Sequence, residues 1–372
     1  MDACEVVIVG GGPAGSACAW KLRNAGLDVA IVDKAAFPRD KVCAGWITPQ
    51  IVDDLKLDLD QYRAGRTFQP ITGFRVGVIG QARTTEIRYA RPVSYGIRRC
   101  EFDHYLLQRS GARLLLGAPV SSIRRDRGGW VVGGSIRASM LVGAGGHFCP
   151  VGRLLNGPPD RAVVVAARET EFRIDPRDAE AFAIGAESAE LYFCRDLGGY
   201  GWCFRKQDFL NIGFGRVDAR ALPKETDQFA AFLAAMRRVP PSVAWQWHGH
   251  AYMLGGSSRR RLVDDGVVLV GDSAGLAYPE SGEGIRPAIE SGLLAASAII
   301  DSDGHYERER LGPYAGRLRQ RLGVASLGRS ASSLVPRAAS RAVARRLLGS
   351  PWFVRHVMLD RWFLHSGEPA LA

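Results

Sequence analysis

The chain has 372 residues, 47% of them hydrophobic, and carries a formal net charge of +11, a size that buries a substantial core and predicts two interleaved domains. No run approaches the ~18 consecutive apolar residues of a membrane-spanning helix, and the opening Met1-Asp2-Ala3-Cys4-Glu5 has neither the basic start nor the apolar core of a secretion signal, so a cytoplasmic protein is expected. Seven cysteines (Cys4, Cys18, Cys43, Cys100, Cys149, Cys194, Cys203), scattered without Cys-x-x-Cys spacing, indicate neither a disulfide framework nor a metal site, and buried thiols are expected.

Glu5 to Val9 is a short β-branched run. Glycines follow, then an Ala-rich stretch from Pro13 to about Ala25, then a second apolar run ending at Asp33. That is strand, turn, helix, strand. Residues 73–80, 84–90 and 93–98 alternate like antiparallel strands, and Glu101 to Arg109 reads as helix. Short strands are predicted near 113–116, 119–124, 130–133 and 138–143. A third block, roughly 160–254, predicts strands at Val163 to Ala166, Leu191 to Cys194, Trp202 to Phe204 and Leu210 to Phe214, and a helix from Thr226 to Arg238. Gly266 to Val270 is again β-branched, and a long helix follows from about Gly284 to Ile300. A βαβ opening whose sheet is completed much later in the chain, with antiparallel strands inserted between, predicts an α/β fold.

Gly10-Gly11-Gly12-Pro13-Ala14-Gly15 fits GxGxxG between a strand and a helix, with Asp33 closing the second strand. Gly10 permits the tight turn, Gly12 lets backbone approach a pyrophosphate, and Gly15 allows close helix-to-strand packing. The helix start offers unpaired N–H groups to the anion. Asp33, with Lys34 beside it, is placed to meet the adenosine ribose. This loop alone leaves FAD and NAD both open.

The segment Gly271-Asp272-Ser273-Ala274-Gly275, followed by Ser281-Gly282-Glu283-Gly284-Ile285 at a helix start, narrows the choice to FAD. An acid at a strand end suits ribityl hydroxyls, which NAD lacks. Gly282 and Gly284 bring backbone N–H groups and a second helix N-terminus toward the edge of a flavin ring, where negative charge develops on reduction. The expected architecture is a Rossmann-like FAD-binding domain (1–72, 100–159 and 255–325), an inserted antiparallel β-sheet substrate domain (73–99 and 160–254) and a basic helical C-terminal segment (326–372).

From about residue 4 to 300 the chain resembles the geranylgeranyl reductase family within the para-hydroxybenzoate-hydroxylase-like flavoproteins. The carriers are Gly10 to Gly15; Lys41-Val42-Cys43-Ala44-Gly45-Trp46; Arg99 ahead of Phe102-Asp103; Gly143-Ala144-Gly145-Gly146 with Val151-Gly152-Arg153; Tyr200-Gly201-Trp202-Cys203-Phe204; and Gly271 to Gly292. The resemblance implies FAD contacts at Ala14, Asp33, Cys43, Ala44, Arg99, Val120, Asp272, Gly284 and Ile285. Arg99 would pair bidentately with a pyrophosphate, or it is an ordinary surface arginine. The chain departs from the family's commoner pattern at Ala44, Gly145 and Arg205.

By the same resemblance Cys43 faces the flavin, either as proton donor, since a free thiol is largely protonated at neutral pH, or as a small packing residue. Trp46, Tyr200 and Trp202 offer aromatic surface to an isoprenoid chain or a planar ring, or serve as core. His248 and His250 are given a structural role. Trp245-x-Trp247 matches part of the flavin halogenase signature but lacks the Ile-Pro that follows there.

The expected activity is hydride transfer from reduced FAD to carbon–carbon double bonds of a prenyl-type apolar substrate. The electron donor is left open between NADPH and a reduced carrier protein. The alternatives are a flavin monooxygenase or halogenase acting on an aromatic or polyketide metabolite, and a non-catalytic flavin-binding or membrane-interacting scaffold. Between Arg317 and Arg361 ten arginines face one acid, Asp360. Arg337, Arg341 and Arg345 at helical spacing, followed by Trp352, Phe353, Trp362 and Phe363, read either as a basic helix docking peripherally on an anionic membrane or as a solvated face. No nucleic-acid motif accompanies the charge.

Overall fold

The computed structural model describes residues 2–126, 128–158, 164–256, 260–323 and 346–371. Among them the strands assemble into sheets of eight, seven and three. In the largest, Asp2–Val9 lies between Val29–Asp33 and Ile136–Gly143, parallel to both. Arg113–Leu116 extends the sheet beyond Val29–Asp33, and Val267–Leu269 extends it beyond Ile136–Gly143, again in parallel. Strands covered on both faces need apolar residues at successive positions. Val6, Val7 and Ile8 are accordingly fully buried. The short strand Gly129–Val132 folds back antiparallel onto Ile136–Gly143, and Ile123–Asp126 pairs antiparallel with Gly129–Val132.

Register aligns the strand ends. Val9 pairs with both Val32 and Gly143, and Gly143 pairs with Leu269. The glycine turn after Val9, Asp33, Ala144 and the Gly271 turn therefore share the carboxyl edge. There the chain has run to opposite sides of the first strand, which is where open α/β sheets bind ligands. Helices Pro13–Asn24 and Ile285–Asp301 pack closely across one sheet face. A Cβ at Gly292 would lie 2.3 Å from the Ala14 carbonyl oxygen, so only glycine permits that approach.

The seven-stranded sheet runs His248–Met253, Val164–Arg173, Phe209–Arg216, Gly199–Lys206, Ser188–Phe193, Gly73–Val78, Thr84–Arg88. Its pairs are antiparallel except Ser188–Phe193 with Gly73–Val78, which run parallel. Helix Leu222–Ala235 covers one face. This helix starts earlier than expected because Pro223 in its first turn favours initiation. The strand expected at 119–124 forms only at Ile123–Asp126. Pro119 lacks the N–H a strand interior needs. Ser94–Ile97 pairs with Trp46–Ile47 and Phe68–Ile71 in the three-stranded sheet. Helix Arg308–Arg321 packs on Ile285–Asp301. The last helix, Pro351–Phe353, continues as π-helical Val354–Phe363. Arg337, Arg341 and Arg345 lie outside the described residues.

Candidate functional site

A cavity of about 620 Å³ opens at the carboxyl edge of the large sheet and extends beneath the seven-stranded one. Its size is within the range of roughly 300–1,000 Å³ usual for ligand sites. At one end lies the glycine turn. Gly10 has φ +116°, and a Cβ there would stand 2.3 Å from the Ala144 carbonyl oxygen. Gly15 stays behind the wall, where a Cβ would meet the Gly10 carbonyl oxygen at 2.0 Å. Gly12 precedes helix Pro13–Asn24 and gives it no side-chain cap, leaving the helix start to face the cavity. The Asp33 carboxylate accepts from the Gly11 and Ala35 amides at 2.7 and 2.9 Å, which fixes it at the rim beside Lys34.

Arg39 and Arg99 flank this end of the cavity. The Arg99 fork is engaged: Nε and Nη2 donate to the two oxygens of buried Asp103, each at 2.7 Å. Arg39 approaches the same carboxylate at 3.2 Å, while its Nη1 is buried with no hydrogen-bond partner among the described residues. Of the two, Arg39 has the freer donor for an anion.

In the middle, Lys41 Nζ donates to His250 Nε2 at 2.5 Å, and Nε2 stands 4.0 Å from Asp272 Oδ2. Burial pushes Lys41 down to about 8, against the upward pull of Asp272. Burial also lowers His250. For Asp272 burial acts upward, but the adjoining His250 and Lys41 more than offset it and hold the carboxylate low. Gly282 has φ +71°, and a Cβ there would come 2.4 Å from the Tyr252 hydroxyl. Gly284 caps helix Ile285–Asp301. Burial raises Glu283, on the cavity wall between them, to about 7.

The Cys43 loop forms the facing wall. Its Sγ accepts from the Gly45 amide at 3.4 Å, and the Cys43 amide donates to Glu169 at 2.6 Å. Behind the loop, buried Lys206 donates to Glu171 at 2.5 Å, Asn211 donates to Glu171 at 3.1 Å, and Trp202 Nε1 donates to Asn211 at 2.7 Å. Glu169 and Glu171 share one face of their strand yet differ in charge preference. Burial lifts Glu169 to about 8 with Lys206 partly offsetting it. For Glu171 the same burial is outweighed by Lys206 and Arg98. Gly45 has φ +63° and lies where a Cβ would be 2.6 Å from Lys206 Nζ.

The far end is aromatic. Trp46 and Tyr200 meet Phe363 of the last helix, with ring centroids 6.1 Å (Trp46) and 5.5 Å (Tyr200) from Phe363, and Trp202 lies beside Tyr200 at 6.1 Å. The Tyr200 hydroxyl donates to the Ser281 carbonyl at 2.5 Å, tying this end to the glycine segment before the helix.

The cavity wall thus brings together Gly10, Gly12, Pro13, Ala14, Asp33, Lys34, Cys43, Ala44, Arg99, Val120, Asp272, Gly282, Gly284, Ile285, Trp46, Tyr200 and Trp202. Sequence reasoning left out Arg39, Lys41, Tyr252, Glu283 and Phe363, and gave His250 a structural role although it lines the cavity. Period-two alternation in His248–Met253 was a usable signal, since it puts His250 and Tyr252 on one face. His248 is exposed. Trp245 and Trp247 stack at 5.2 Å against a different core.

A parallel sheet with a glycine turn and a two-part cavity at its carboxyl edge defines the class of nucleotide-binding flavoproteins. Residues 5–86 and 104–298 match the FAD dependent oxidoreductase family. Menaquinone reductase of Mycobacterium tuberculosis is 30% identical over 330 residues, covering 81% of this chain and 78% of its own. Digeranylgeranylglycerophospholipid reductase of Methanothrix thermoacetophila is 29% identical over 352 residues, 86% of this chain and 84% of its own. The fold matches a geranylgeranyl bacteriochlorophyll reductase-like protein of Thermoplasma acidophilum with a TM-score of 0.74 and 21% identity, over 94% of this chain and 88% of that one. The chain belongs to the FAD-dependent oxidoreductases, in their geranylgeranyl reductase family. It is an enzyme whose cofactor is FAD. Among the described residues no helix is long and apolar enough to cross a membrane.

Proposed function

We propose that the enzyme reduces carbon–carbon double bonds in a prenyl-type apolar substrate. The observation that carries this reading is the continuity of one cavity from the glycine turn to the aromatic end. Relatives named for menaquinone and for digeranylgeranylglycerophospholipid support an apolar prenylated lipid.

In this reading Gly10, Gly12, Pro13, Ala14 and Gly15 present the helix start to the FAD pyrophosphate, with Arg39 neutralising its charge. The unpartnered Arg39 Nη1 fits that task. Asp33 and Lys34 hold the ribose end, Arg99 and Val120 border the nucleotide, and Asp272 takes the ribityl hydroxyls. Gly282, Gly284 and Ile285 face the flavin from one side, Cys43 and Ala44 from the other. Bound FAD, once reduced, supplies hydride. Trp46, Tyr200 and Trp202 hold the prenyl chain and exclude water. Cys43 gives a proton to the second carbon, so that the product gains two hydrogens. The electrons come from NADPH or a reduced carrier protein. Arg346 and Arg355, beside exposed Trp352, support peripheral contact with an anionic membrane at the cytoplasmic face.

The test is anaerobic. Photoreduced holoenzyme is mixed with geranylgeranyl diphosphate, whose reducible bonds are all carbon–carbon double bonds, and flavin absorbance is followed. Return of the oxidised spectrum only with substrate, and a product heavier by two hydrogens per bond, supports the reading. A product that gains oxygen or halogen, and forms only in air, contradicts it.

A further inference from the structure

The last helix bridges two bodies. On one side it rests on the seven-stranded sheet: Tyr89 donates to Asp360 at 2.7 Å, and Thr85 to the Leu348 carbonyl at 3.1 Å. Val354, Met358, Leu359 and Leu364 are buried in that sheet's aromatic cluster. On the other side the chain after the helix is pinned to Ile285–Asp301, the helix that starts at the cavity. Arg286 donates to the carbonyls of His365 and Glu368, each at 3.1 Å, and the His365 ring lies on Tyr278 with centroids 3.7 Å apart. Arg286 is itself held by Glu290 at 2.8 Å, and Glu290 by Arg321 at 2.7 Å.

Between these two moorings a single side chain of the helix enters the cavity. Phe363 is 5% exposed and contacts Trp46, Tyr200 and Phe193. It comes from π-helical Val354–Phe363, a geometry uncommon in helices and frequent at functional sites. An aromatic ring held at its backbone from both sides is a fixed end wall, unlike a loop side chain that can swing aside.

We propose that Phe363 is a specificity-determining residue: it ends the apolar chamber and sets how long or bulky a chain the enzyme accepts. This deepens the reading of a prenyl substrate and rests on it. Removing the ring opens room toward the last helix, so longer chains gain relative to shorter ones. Enlarging it does the reverse. Differences of one or two methylene groups in an apolar pocket change selectivity about ten- to hundredfold, and a whole phenyl ring displaces more than that volume.

The experiment compares wild type, Phe363→Ala, Phe363→Leu and Phe363→Trp, all as FAD-loaded full chains at matched flavin content. Phe363→Leu keeps apolar packing if the alanine variant fails to fold. Geranyl, farnesyl and geranylgeranyl diphosphate are the probes. Two readouts are taken: the kcat/KM ratio of the longest to the shortest chain, and binding to the oxidised enzyme followed through perturbation of the flavin spectrum. The proposal expects the ratio to rise about tenfold or more in the alanine or leucine variant and to fall in the tryptophan variant, with the binding ratios moving alike. Ratios unchanged within about twofold overturn it while leaving the functional reading intact. If wild type binds these chains without reducing them, the functional reading fails and the binding ratios still decide the role of Phe363. If no chain binds at all, both fail.

Discussion

The Cys43 amide is hydrogen-bonded at 2.6 Å to a carboxyl oxygen of Glu169, so the loop facing the cavity is anchored by an acid on the neighbouring sheet. Burial lifts that acid from its ordinary value of 4.5 to about 8. Between those values the folded protein holds a proton that the unfolded chain has lost. The contribution to stability is therefore full below pH 4.5 and declines as pH rises toward about 8, by at most about 1.4 kcal/mol per pH unit. Glu169→Gln should remove that decline and gain on wild type as pH rises. Urea unfolding of both proteins at pH 5.5 and pH 8 checks this. A constant difference between them contradicts it. Asp54 and Glu283, lifted to about 6 and about 7 mainly by burial, act in the same direction in both proteins and cancel.

Arg39 and Arg99 make opposite predictions. Arg39→Ala removes a donor that has no hydrogen-bond partner within the described protein, and should weaken FAD binding about ten- to hundredfold, the worth of a charge-assisted bond of about 1.5–3 kcal/mol. Arg99→Ala breaks the paired contact to fully buried Asp103, leaving that carboxylate only Arg39 at 3.2 Å, and should cost roughly 1.5–3 kcal/mol of apoprotein stability. FAD titration and thermal unfolding of flavin-free protein separate them. Equal losses in both assays for both variants would contradict the division of labour.

Cys43→Ser tests the proton donor. A hydroxyl is a far weaker acid than a thiol, so turnover should fall about a hundredfold or more, with flavin content and substrate binding unchanged. Single-turnover flavin reoxidation at saturating substrate measures it. Retained turnover assigns the thiol to packing.

Trp352 is 66% exposed and Leu347 38% exposed, between Arg346 and Arg355. Trp352→Ser should weaken sedimentation with phosphatidylglycerol vesicles about tenfold, equivalent to ~1.4 kcal/mol of lost apolar burial. Neutral vesicles should bind neither protein. Equal binding by the two proteins contradicts membrane contact through this residue.

The parts of the site legible in the sequence are those written locally. Gly10 to Gly15, Asp33 and the Asp272 segment each sit at a strand end, and the turn and helix start beside them follow from adjacent residues. Arg99 lines the cavity, but its fork is held by Asp103, a partner legible four residues on, the helical spacing for an ion pair. Arg39 and Lys41 gave no periodic signal because they lie in a loop positioned by tertiary packing. Phe363 shows how a pattern misleads. Trp352, Phe353, Trp362 and Phe363 follow the arginines as part of a basic amphipathic pattern, yet the structure exposes Trp352 and turns Phe363 into the cavity. Which aromatic points inward is decided by Arg286, Tyr89 and Thr85, distant in sequence and unrelated to the tail's own spacing.

The central claim, reduction of a prenyl double bond, is tested most directly by the mass of the product from one anaerobic turnover of fully reduced enzyme. The account predicts a gain of two hydrogens that persists when oxygen is rigorously excluded, in step with flavin reoxidation. A reduced flavin that stays reduced in the presence of every prenyl substrate until air is admitted, followed by a product bearing a new oxygen or halogen, would contradict it.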